Sequence, residues 1–100
     1  MTADDFRKMA LAMTGVVEGA HQGHPDFRVH GKVIASLHKS GERAMVALTP
    51  EQQADLMRQH PSVFTPEAGA WGLKGCTRVH LAAADDDTLG LALTLARRRV

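Results

Sequence analysis

The chain has 100 residues, 44% of them hydrophobic, a formal charge of +1 and a single cysteine, Cys76. That length supports one domain spanning residues 1–100, burying roughly 60–70% of its unfolded surface, and a lone thiol excludes an intramolecular disulfide or a paired-cysteine zinc site. With charge so near zero there is no global pull toward nucleic acid or membrane, so any anion binding must come from local clusters of cations.

The opening Met-Thr-Ala-Asp-Asp is acidic where a secretory leader would be basic, and no apolar run reaches membrane-spanning length. A cytosolic, soluble protein without a membrane partner is the expectation. Thr2 is placed to cap a first helix, with Asp4 and Asp5 in its first turn, where the helix dipole favours anions. Phe6, Met9, Ala10 and Met13 then share one helical face, and Gly15 is positioned to end it. Residues 16–24 read as a connection or a short strand carrying Glu18, His21 and His24.

Phe27 and Val29 alternate with Asp26, Arg28 and His30, the two-residue period of a half-buried strand. His30-Gly31 suits a two-residue hairpin turn. Pairing across it sets Val29 opposite Lys32 and Phe27 opposite Ile34, whereas a Gly31-Lys32 loop would set Val29 against Ile34; the first register is the preferred one. Residues 39–42 form a second turn, after which Ala44, Val46 and Leu48 share a face.

Thr49-Pro50-Glu51-Gln52 is the sharpest local signal. Thr caps, Pro occupies the first helical position, and Gln52 can close a capping box. This helix should stop near His60, because Pro61 disfavours helical geometry in the residue before it. Leu56 and Met57 mark it as a surface helix with a thin apolar stripe. Residues 61–69 read as irregular, with Val63 and Phe64 plugging the core edge, and residues 70–81 as two short strands broken at Lys74-Gly75. The last segment carries both periods. Three aspartates before it (85–87) and three arginines at its end (97–99) match a helix dipole, so helix is expected there, with Leu89, Ala92, Leu93 and Ala96 on one face.

Two clusters could carry chemistry. His21, His24 and Asp26 bracket the hairpin's start, and imidazole with carboxylate suits zinc, iron or copper. A His-x-x-His-x-Asp spacing on a strand splits its side chains between faces, so histidines that cap turns and bond backbone are the competing reading. Arg28, Lys32, Arg43, Lys74 and Arg78 lie on strands or turns and could track phosphates from hairpin wings, or simply solvate a sheet face. Trp71 is either a core anchor, the preferred reading, or the wall of a ligand cleft. Nothing positions a third group beside Cys76 and a histidine, and no phosphate-binding glycine loop or nucleophile elbow is present, so no enzyme and no cofactor is expected.

The run from His21 to Lys32, His-x-Gly-His-Pro-Asp-Phe-Arg-Val-x-Gly-Lys, is followed by Leu48-Thr49-Pro50-Glu51-Gln52, Pro66, Gly69-Ala70-Trp71-Gly72 and Gly75-x-Thr77. Together these motifs resemble the MmcQ/YjbR-like family of small bacterial proteins, over nearly the whole chain. Val33-Ile34 departs from the pattern, in which an aromatic follows a Lys-Ile pair. The resemblance implies an α+β, two-layer fold of the CyaY (frataxin-like) type, an antiparallel sheet with the N- and C-terminal helices on one face. About function it implies little beyond the DNA binding through paired wing-like hairpins that has been proposed for the family. The acidic iron-binding ridge of frataxins does not carry over, because Asp4 and Asp5 are followed by Arg7 and Lys8. The resulting expectation is weak DNA binding through Arg28, Lys32, Arg43, Lys74 and Arg78. A small-ligand or metal site at His21, His24, Asp26 and Trp71 is the alternative.

Overall fold

A computed structural model describes residues 1–21 and 23–100, and the side chains of all of these except His21. Helix α1 (Ala3–Leu11) opens with the expected cap: the Thr2 hydroxyl accepts from the Asp5 N–H, and the Asp5 carboxylate accepts from the Thr2 N–H. Strands β1 (Val17–His21), β2 (His24–Val29), β3 (Lys32–Leu37) and β4 (Arg43–Ala47) follow as a meander. Helix α2 (Pro50–Gln59) carries the Thr49/Gln52 capping box, with both bonds formed. Next come β5 (Phe64–Pro66), a short helix α3 (Gly69–Leu73), β6 (Cys76–His80), a 3-10 turn at Leu81–Ala83 and helix α4 (Asp86–Arg98).

The strands form one sheet in the order β1-β2-β3-β4-β6-β5, every neighbouring pair antiparallel. Helices α1 and α4 touch each other and cover one face, α4 lying on β3 and β4 and α1 on β3. Between the layers Phe6, Phe27, Ile34, Val46, Val79, Leu89 and Leu93 are completely or almost completely buried. The Phe6 and Phe27 rings meet at 5.9 Å and 59°, a tilted pair of the favoured kind. Met9 and Met13 close the margin of this core half-buried. Among the described residues no helix is long and apolar enough to cross a membrane.

Four local expectations are corrected. The turn is as expected, with His30 and Gly31 both at positive φ (52° and 78°) and Val29 opposite Lys32. Phe27, however, faces Ala35 rather than Ile34, because a bulge follows at Phe27/Arg28. Strict pairing would turn Ser36 inward and Leu37 outward; the extra residue reverses this and lets Ala35 and Leu37 join the core. Residues 70–81 are not two strands but α3 and then β6, and the strand β5 begins at Phe64 in the stretch expected to be irregular. Trp71 is no core anchor: 67% of it is exposed.

Candidate functional site: a groove over the open sheet face

Once one face of the sheet is given to the helices, the two-residue period assigns the other. Ala44, Val46 and Leu48 are buried, so Arg43, Met45 and Ala47 point away from the helices. Thr77 and Val79 are buried, which sends Cys76, Arg78 and His80 the same way. On β2 the inward Phe27 and Val29 leave Asp26 and Arg28 on this open face. Register sets Met45 beside Arg78 and Ser36 beside Met45.

These side chains floor a groove of about 770 Å³. Its floor is Val33, Ser36, Met45, Ala47 and Cys76; His24, Asp26 and Arg28 flank it on one side, Glu67 and Trp71 on the other. A smaller hollow of about 130 Å³ continues it past Ser36 toward His38 and Arg43. The wall that carries Trp71 depends on two glycines. A Cβ at Gly75, where φ is +108°, would run into the Leu48 carbonyl, and one at Gly72 would run into the Glu67 carbonyl. Both obstacles are backbone, so α3 can close against the sheet only with hydrogen at these positions. Gln53 of α2 supports the same corner, donating to the Cys76 carbonyl and to the Thr77 hydroxyl at 3.1 Å each.

Each side of the groove holds an ion pair. Arg28 Nε and Nη2 donate to Asp26 Oδ1 and Oδ2, both at 2.9 Å, a two-pronged pair in which the Asp26 side chain is 4% exposed and the Arg28 side chain 39%. Asp26, by hydrogen bonds and then by its charge, raises the Arg28 pKa. Gly19, paired with Asp26 across the sheet, makes room for this: a Cβ there would sit 2.9 Å from Asp26 Oδ1. Opposite, Arg78 Nε donates to Glu67 Oε1 at 2.8 Å. Burial, and secondarily Glu67, push the Cys76 thiol up, away from the thiolate a nucleophile needs. Partial desolvation, then Arg43 and Lys39, push the His38 imidazole down, so it favours the neutral form in which Nδ1 can accept from the Ser40 N–H.

Of the alternative ligand set, the structure brings His24, Asp26 and Trp71 to this groove. The side chain of His21 lies outside the described residues. Among the described residues no three His, Cys, Asp or Glu side chains are grouped so as to hold a metal ion. The five cations expected to bind nucleic acid are spread out. Lys32 and Lys74 stand at the end of the sheet where β3 starts and β4 finishes, and Arg43 at the other end, a β4 length of about 14 Å away. Arg28 and Arg78 lie between them, each held by a carboxylate. Lys74 Nζ rests 5.5 Å from the centre of the Trp71 ring.

Sequence reasoning missed Val33, Ser36, Met45, Ala47 and Glu67 as lining residues. The alternation that put Ala44, Val46 and Leu48 on one face already places Met45 and Ala47 on the other, so that signal was available. Glu67 carries no local signal, since its position follows from the chain folding back after β5. Cys76 lines the groove, although packing was the expected role.

Comparison with known proteins agrees with the motif reading. No curated protein matches the chain. The crystal structure of Deinococcus radiodurans protein DR2400, family-model domain DUF419, is similar in fold, with a TM-score of 0.77 at 20% sequence identity, covering 96% of this chain and 75% of that one. The family model YjbR matches residues 11–98. With 88 of its 100 residues inside that match, the chain belongs to the YjbR family.

Proposed function

We propose that this protein is a binding module, not an enzyme, and that its site is the groove over the open sheet face. The supporting observation is the combination of apolar floor, indole wall and two fixed ion pairs in one concavity of about 770 Å³, the usual size and make-up of a small-molecule site. The elevated Cys76 thiol favours binding over covalent catalysis. A fragment library screened by amide and indole N–H shifts tests this. Hits should converge on the indole of Trp71, the only tryptophan, and on the amides of β4 and β6. Hits scattered over the surface, or confined to the helix layer, would remove the reading.

Nucleic-acid binding is the second reading, favoured by a different observation. At the sheet end where Lys32 and Lys74 stand exposed, Arg99 donates to the Ala47 carbonyl at 3.2 Å, which brings a third cation to that end, and Lys74 rests over the exposed Trp71. This cluster, rather than paired hairpin wings, supports the reading, because the β2–β3 and β3–β4 turns lie at opposite ends of β3. Three phosphate contacts imply a log–log salt slope of roughly −2.7, and Lys32→Ala or Lys74→Ala should flatten it by about one unit. Anisotropy of a labelled oligonucleotide that stays flat at low salt would discard it.

A further inference from the structure

We infer that the groove takes a small organic carboxylate, its carboxylate on the outer edge of the Arg28 guanidinium and its apolar body laid on Met45 and Ala47 against Trp71; this rests on the groove reading above. Charge comes first. Around the groove and its extension stand three guanidinium groups, Arg28, Arg43 and Arg78, against the two carboxylates Asp26 and Glu67. An organic cation would face that excess. A long polyanion would meet the carboxylates on both walls, whereas a single carboxylate need meet only one guanidinium.

Geometry selects which one. Two of the five guanidinium N–H groups of Arg28 go to Asp26. The fork is thereby locked in one orientation by a buried carboxylate, on a side chain that lines the groove and is 39% exposed overall. A planar, pre-oriented guanidinium matches a carboxylate on two donors, and its ordering cost has already been met in folding. Arg78 is less available, its side chain only 26% exposed. The floor beside Arg28 is apolar, with Val33, Met45 and Ala47, and the exposed Trp71 lines the opposite side. One charged anchor next to an apolar bed describes an amphipathic acid.

Three probes of equal shape test the inference: 2-naphthoate, 2-naphthylmethanol and 2-naphthylmethylammonium, each titrated into the ¹⁵N-labelled full chain. The naphthoate should shift the Trp71 indole N–H, the Arg28 Nε–H and the β4 amides, and bind more tightly than the alcohol, with the ammonium ion weakest. Losing a two-pronged contact to a charged group should weaken naphthoate roughly 10- to 100-fold in Asp26→Asn/Arg28→Gln, which removes both charges so that no buried carboxylate is stranded. Arg28→Lys, keeping the charge without the fork, should fall between. Equal binding of all three probes at Trp71, or naphthoate binding unchanged in the double variant, would overturn the carboxylate class while the groove remained. No shift at Trp71 from any probe would overturn the groove as well.

Discussion

The two faces of the sheet are built from the same strands and obey opposite rules. On the covered side of the sheet buried polar side chains are few; Thr77 is one, and its hydroxyl donates to the Gly75 carbonyl at 2.8 Å. On the open face, half-buried polar groups are common and are paired with one another, as in Asp26–Arg28 and Glu67–Arg78. The covered face shows what folding requires, which is apolar area removed from water. The open face holds charged pairs whose desolvation makes them a poor route to stability, since such a pair is often no better than apolar residues of equal volume. Retaining them on a concave surface fits a role in recognition.

The sharpest way to break this contrast is to truncate one side chain on each face. Phe6→Ala should cost about 3–5 kcal/mol, because the Phe6 ring is fully buried against Phe27 and leaves a cavity. Met45→Ala, on the half-buried groove floor, should cost about 1 kcal/mol by lost apolar area alone. Urea unfolding of both variants measures the difference. Similar losses would mean that the open face is as much a part of the core as the covered one.

A second test falls on the seam between the faces. Gly75→Ala should lose about 1–3 kcal/mol to positive φ alone, and more from the clash with the Leu48 carbonyl. Its signature is local, with Trp71 emission changing as α3 lifts from the sheet. A stable variant with unaltered Trp71 emission would show that α3 does not need that close approach.

The third test concerns the ion pair itself. Arg28→Gln strips the nearly buried Asp26 of its counter-charge and should cost about 1–3 kcal/mol, less than a fully buried pair because Arg28 is partly in water. Asp26→Asn/Arg28→Gln should recover part of that loss. If the double variant is worse than the single, the pair is a stability element and the contrast between faces weakens.

The smallest effect belongs to the helix layer. Asp85 caps α4, and its hydrogen bonds to Thr88, the backbone one foremost, hold its carboxyl below the ordinary carboxylate range. Because the folded pKa is the lower one, the unfolded chain binds more protons across the window between the two values. Stability from the cap is therefore complete above about pH 4 and is lost as pH falls through the folded pKa. Asp85→Asn keeps a good cap and should leave neutral stability nearly unchanged while flattening the acid limb of a melting-temperature profile. An identical acid limb in the variant would move the titration to Asp5, which is depressed for the same reason by Thr2.

By itself the sequence determined the elements whose causes are local. Thr2, Thr49 and Asp85 start helices through bonds made within three or four residues, and His30-Gly31 makes its turn from two adjacent backbones. On β2, β4 and β6 it also determined which residues share a face, because there the period of two is unbroken. What the tertiary structure decided was everything requiring a distant partner. The bulge at Phe27/Arg28 exists because Ala35 and Leu37 must meet helices many residues away. Trp71, flanked by small residues, carries no sign of whether it will be buried. Its exposure follows from α3 being held against the Leu48 and Glu67 backbones by two glycines. The candidate site is of this second kind. Arg28 and Asp26 are two residues apart and could be paired on paper, but Glu67, Trp71, Met45 and Arg28 come from separate parts of the chain. They meet only because strand order places β4 between β3 and β6, and no local property of any one segment encodes that order.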